Sequence, residues 1–213
     1  MLEKHVLHVP GRTVTLRCDP AFAAQARAVL GLIEGALGRG RPLEDGFTVG
    51  LGWSPLTLRE RGREFRIVQP DFFGDPFRDE TDDVTASLTM YSCQQRVLAL
   101  ARVPAGTPTP FHQSVTIEKG ALEEARVQVA RRPPDALVPD DSGWSVLHDL
   151  DRERREPEAG ATVRVSTIHL LGRRPQLIHA LGLPVGWVAF FHHDEISELC
   201  DPEGWTAWSE ERR

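Results

Sequence analysis

The chain opens on alternating apolar and polar positions. HVLHV and RTVTLRC, on either side of a Pro10-Gly11 turn, predict two paired strands. The pattern then changes period. Asp19 can cap a helix and Pro20 suits its first turn, while Phe22, Ala26, Val29, Leu30, Ile33 and Leu37 recur along one helical face. Gly38 and Gly40 end it. GFTVGLGW and REFRIVQPDF read as strands, joined by SPLTLRERG, whose LTLR can extend either one. PDFFGDPFRDETDD is a loop rich in Pro, Gly and Asp. From Asp82 to Val103 there is no Gly or Pro, and Val84, Leu88, Tyr91, Gln95 and Leu98 keep helical spacing. DVTASLTM also alternates, but the unbroken stretch is too long for an ordinary strand, so a helix is predicted.

PAGTPTP, Pro104 to Pro110, carries three prolines in seven residues and reads as an extended linker. Beyond it, SVTIEKG and ARVQVARRPP predict strands, PPDALVPDDSG a loop, and WSVLHDL a third strand. DRERREPEAG is a charged excursion. ATVRVSTIHLL begins as a strand, RPQLIHALG suits a short helix, and PVGWVAFFHHD is an apolar, central strand. Trp205 and Trp208, three apart, suit a short helix or turn. Strands and helices do not alternate regularly, and no dinucleotide or P-loop glycine pattern occurs. The expected fold is α+β, with mostly antiparallel sheets and a few packed helices in two subdomains, 1–112 and 113–213.

Composition narrows the function more than the fold. The 213 residues are 40% hydrophobic and 26% charged, as in an ordinary soluble domain. No apolar run reaches membrane-spanning length and the N-terminus lacks a signal-peptide core, so a cytoplasmic protein that avoids membranes is expected. Cys18, Cys93 and Cys200 are scattered, which disfavours a disulfide framework and rules out a four-cysteine zinc cage. Residues 1–112 hold 13 Lys and Arg against 13 Asp and Glu, whereas 113–213 hold 12 against 18. The whole acidic excess lies in the second half. Such a surface repels nucleic acid and suits a basic protein partner.

Candidate chemistry mostly fails on geometry. His192-His193-Asp194-Glu195, with Cys200, invites a metal, but adjacent histidines on a strand face opposite ways and no H-E-x-x-H is present. QPDFF resembles the Pro-Asp opening of restriction-type nucleases, yet the required acid-x-lysine is missing because Glu118 and Lys119 are adjacent. Ser142 lacks the G-x-S-x-G elbow, and along a strand His148 lies roughly 15–20 Å from it. No cofactor is expected. DDSGW reads better as geometry: Asp140 and Asp141 suit a turn, Gly143 gives backbone freedom, and Trp144 enters a strand with its ring fixed on one face. If the flanking strands pair antiparallel, Arg131 or Arg132 can face Asp140 or Asp141.

The same letters carry a resemblance. SVTIEKGALEEARVQVARRPPDALVPDDSGWSVLHD, followed some 40 residues later by LGLPVGWVAF, resembles the immunity protein thirty-three family of bacterial polymorphic toxin systems, mainly over residues 113–193. Ser142, Gly143, Arg131, Arg132, Pro184 and Gly186 fall on its structural motifs. The chain departs from the family pattern after the tryptophan, where HDLDRE replaces the expected Gly-Asp-Glu-like turn and Asp151 to Ala159 is an insertion. The resemblance implies a non-catalytic protein that occludes a co-encoded toxin. Asp140, Asp141, His148, Asp149 and Asp151 are the candidate partner-binding residues, and Trp144 is either an aromatic anchor for the partner or, as its type favours, a core residue. A regulatory or small-ligand-binding module, and a metal-dependent hydrolase using His148, His192 or His193, are the alternatives.

Overall fold

The computed structural model describes residues 1–149 and 160–212. The fold is α+β, built on two mixed sheets, and the chain divides into two compact units, Met1–Ser92 and Cys93–Arg213.

In the first unit, β1 (Glu3–Val9), β2 (Arg12–Cys18), β3 (Thr48–Leu51), β4 (Ser54–Arg61) and β5 (Glu64–Pro70) form a sheet in the order β1-β2-β5-β4-β3. The two-residue β6 (Glu80–Thr81) pairs with β5. The β2–β5 pair is parallel; the others are antiparallel. Asp19 does accept the Ala21 N–H, capping a 3-10 turn that leads into α1 (Ala23–Gly38). Ala26, Val29, Leu30 and Ile33 of α1 join Val14, Leu16, Leu56, Leu58, Phe65 and Ile67 in one core. The alternation in RTVTLRC thus becomes an inward row of Val14, Leu16 and Cys18.

The outward row is ionic. Lys4 Nζ and Arg66 Nε reach Glu64 at 2.8 and 3.0 Å, and Arg17 reaches Asp82 at 2.9 Å. The Lys4 and Arg66 hydrogen bonds hold the Glu64 pKa down, from 4.5 to about 2. A depressed carboxylate stabilises the fold above its unfolded pKa and loses that contribution as pH falls through the folded value. Glu64→Gln should therefore cost on the order of 1 kcal/mol at neutral pH, moderated by solvent. The difference from wild type should vanish near pH 2. Urea titrations at both pH values check this; an unchanged difference at low pH would remove the ionic explanation.

The division between the units falls within α2 (Thr85–Ala101), the helix predicted from the Gly- and Pro-free stretch. In the second unit, β7 (Ser114–Glu118), β8 (Arg126–Arg131), β9 (Asp141–His148), β10 (Thr162–Ser166), β11 (Val188–His192), β12 (Glu195–Cys200) and β13 (Thr206–Ser209) form a sheet ordered β10-β7-β9-β8-β11-β12-β13. Among the described residues, only the β7–β9 pair is parallel in this sheet. Register places Ile117, Val146, Val129 and Ala189 in one row across four strands, all buried. Leu170 of α3 (Ile168–Arg173), and Leu177, Ile178 and Leu181 of the 3-10 segment after it, are fully buried as well.

One expectation is corrected. The tail around Trp208 is strand β13, with Trp208 opposite Leu199, rather than a helix or turn. PAGTPTP has no helix or strand, yet it is packed: Thr109 is fully buried, and Thr107 N–H donates to Gly182 O at 2.9 Å.

Candidate functional site: a buried motif that shapes an exposed acidic loop

Only Asp140 of DDSGW stands in the turn ahead of the strand, where the Asp141 N–H donates to Val138 O at 3.3 Å. Asp141, Ser142 and Gly143 already belong to β9, and they form a bulge in it. Ser114 of β7 pairs with Asp141, yet Thr116, two residues on, pairs with Ser145, four residues on. The extra length on β9 is absorbed at Gly143, whose φ is +77°. Its backbone lies so close to the chain leaving β8 that a Cβ there would sit 2.1 Å from Arg132 O. The Arg132 N–H donates to Gly143 O at 2.9 Å. Ser142 is buried; its hydroxyl donates to Ser114 O at 2.6 Å and accepts the Trp144 N–H at 3.2 Å.

The bulge aims Trp144 inward. The ring is 1% exposed, and its Nε1–H donates to Thr109 Oγ1 at 3.0 Å. The Thr109 hydroxyl donates onward to Leu181 O at 2.9 Å. Arg131 lies directly opposite on β8, with its guanidinium 5.4 Å from the Trp144 ring centre. Arg131 Nη1 donates to Thr107 O at 2.8 Å and Leu183 O at 2.7 Å. Burial pushes its pKa down to about 10, so the ring face and the carbonyl dipoles stand where a carboxylate counter-ion would. The Arg131 backbone accepts the Gly186 N–H at 2.8 Å and donates to Trp187 O at 3.0 Å. Gly186, at φ +91°, packs where a Cβ would lie 2.8 Å from the Pro202 side chain. The turn beginning at Pro184 and the DSGW bulge thus meet at one buried arginine.

The carboxylate of Asp141, expected to face an arginine, does so. Its Oδ2 accepts from Arg132 Nη2 at 3.0 Å and from the Asp135 N–H at 2.8 Å. Burial alone would raise this carboxyl's pKa. The Asp135 and Gly143 N–H groups, Arg132 and Arg164 outweigh it, and the pKa lies below the ordinary value. The Asp135 side chain in turn accepts the Leu137 N–H at 2.9 Å. The buried motif therefore shapes residues 133–140 from beneath. That loop is exposed, with Leu137 91% accessible at its tip and Asp135 and Asp140 beside it.

The other candidates separate. Asp140 is exposed at φ +56°, its carbonyl held by the Ser114 N–H at 2.7 Å. Trp144 and Asp141 are interior groups that build the loop, so neither presents a surface to a partner. His148 is half-buried: its backbone N–H donates to Glu118 Oε2, and its Nε2 meets Lys119 O, both at 3.0 Å. It is nowhere near Ser142 along the strand. The Asp149 side chain is buried, with Oδ2 taking Arg126 Nη2 at 2.9 Å. It lies at the edge of a groove of about 560 Å³ that Glu198, Glu210, Glu211 and His192 also line. Asp151 lies outside the described residues. Among the described residues, no three His, Cys, Asp or Glu side chains converge as metal ligands, and no helix is long and apolar enough to cross a membrane.

Sequence reasoning missed Thr107, Thr109 and Leu137. The first and third had no side-chain signal, since Thr107 acts through its carbonyl and Leu137 is one apolar residue among Ala136, Val138 and three prolines. No curated protein and no solved structure matches the chain. The Imm33-like domain family model matches residues 93–202, starting where the second compact unit starts. The match spans more than half of the 213 residues and contains the whole buried motif, and the chain belongs to the Imm33-like domain family.

Proposed function

We propose that this chain is an immunity protein that binds a co-encoded bacterial toxin and blocks it by occlusion, catalysing no reaction itself. The observation that carries this reading is the Imm33-like domain over residues 93–202. The acidic balance of residues 113–213, 12 basic against 18 acidic, supports a basic partner. The exposed loop 133–140 has the composition of a contact site, with Leu137 as an apolar centre and Asp135 and Asp140 as an acidic rim.

The test is calorimetric titration with the purified product of the toxin gene beside this one. Binding with a Kd below about 1 µM is expected. Asp135→Asn with Asp140→Asn should slow association several-fold and flatten its salt dependence, because rim charges act mainly on encounter. No heat of binding and no protection of the toxin's target at tens of micromolar would sink the reading.

A further inference from the structure

Residues 71–79 of the first unit, outside the Imm33-like match, are built to hold two aromatic rings in solvent. The loop is closed by Asp71 N–H on Asp79 O at 2.9 Å and Asp79 N–H on Asp75 O at 2.8 Å. Asp71 Oδ1 accepts the N–H groups of Phe73 and Gly74 at 3.1 and 3.2 Å, and Asp75 Oδ1 accepts that of Phe77 at 3.0 Å. The Asp71 carboxylate fills the space over Gly74, where a Cβ would lie 2.8 Å from Oδ2. Phe72 turns inward and stacks on Trp53 with ring centres 4.5 Å apart, which roots the loop in its own unit. That inward turn sends Phe73 outward: it is 88% exposed, and Phe77 is 61% exposed.

A phenylalanine that stays in water forgoes the burial that is its main contribution to folding, and here the backbone is ordered around two of them. The ordering is the form a pre-paid anchor takes, since a rigid ring loses little freedom on docking. Charge selects the partner. Asp71, Asp75 and Asp79 outnumber the cations beside the loop, which are Arg78, leaning on Asp75 at 3.6 Å, and Arg61 in the adjoining groove. The neighbouring Arg59 and Arg66 are already bound to Glu80 and Glu64.

We propose that Phe73 and Phe77 are a second, aromatic anchor for the protein partner, entering an apolar pocket rimmed by basic side chains; this rests on the toxin-binding reading above. The acidic surround disfavours an anionic lipid surface as the occupant.

The experiment compares the full chain with the F73S/F77S double variant against the product of the neighbouring toxin gene. Phe73 is 88% exposed, so F73S should leave the urea midpoint unchanged, and F73S alone serves if the double variant is destabilised. The variant should bind roughly thirtyfold more weakly or worse, the loss of a central hot spot. Equal affinity in a folded variant overturns the anchor alone. So does self-association of wild type that the variant lacks, or wild-type binding to phosphatidylserine vesicles that the variant lacks. Wild type that fails to bind the toxin at all overturns the toxin reading, and the anchor with it.

Discussion

Gly143→Ala is expected to destabilise the second unit by about 4 kcal/mol or more, a large share of the roughly 5–15 kcal/mol that holds a domain folded. Two costs combine. A non-glycine residue held at φ +77° pays roughly 1–2 kcal/mol for the left-handed backbone alone. The larger cost is steric: the new Cβ would stand 2.1 Å from Arg132 O, a backbone atom with no rotamer to escape into. Relief means parting β9 from β8 at the point where Arg132 N–H meets Gly143 O and Arg132 pairs with buried Asp141. Gly120 supplies the control. It also has positive φ, +85°, but a Cβ there meets nothing nearer than the His148 ring at 3.6 Å. Gly120→Ala should therefore cost only the backbone share. Urea unfolding of the two variants separates strain from collision, and equal losses would mean that the bulge tolerates a side chain.

That bulge marks the limit of what the sequence discloses. Local periodicity was enough for the strands RTVTLRC and REFRIVQP and for both long helices, because each element's burial repeats within a few residues. Features that depend on a distant partner left no such trace. Gly143 looks like a turn glycine until β7 is laid beside β9 and the register is seen to slip. Trp205 and Trp208 suggested a helical turn because two aromatics three apart are too few to fix a period, and the pairing of Trp208 with Leu199 is what makes a strand. The parallel pairs β2–β5 and β7–β9 join segments whose intervening chain holds other elements of the same sheets. The partners of Arg131 are hardest of all. They are the carbonyls of Thr107 and Leu183, 24 and 52 residues away, and any residue type could have supplied them. DSGW and PVG were legible as marks of kinship, while the reason for their pairing, a shared buried arginine, belongs to the folded chain.

Trp144→Ala should cost about 3–5 kcal/mol, the range for deleting a large buried ring that the surroundings cannot refill. The site is poorly able to collapse, because two of its neighbours are polar and fixed. Thr109 loses the indole N–H that reaches it at 3.0 Å, and Arg131 loses the ring face 5.4 Å away while remaining buried and charged. Trp144→Phe keeps most of the apolar contact and a face for the guanidinium, and gives up the hydrogen bond and some volume; about 1–2 kcal/mol is expected. The graded pair distinguishes an interior ring from a partner anchor. An anchor on the surface would make both variants nearly neutral in urea and ruinous for toxin binding. A ring 1% exposed demands the reverse: large and graded losses of stability, with unchanged affinity for as long as the protein stays folded. A double-mutant cycle with Arg131→Met sharpens the point. Arg131 and Trp144 in contact should couple by about 0.5 kcal/mol or more, whereas additive losses would mean that the arginine is held by its two carbonyls alone.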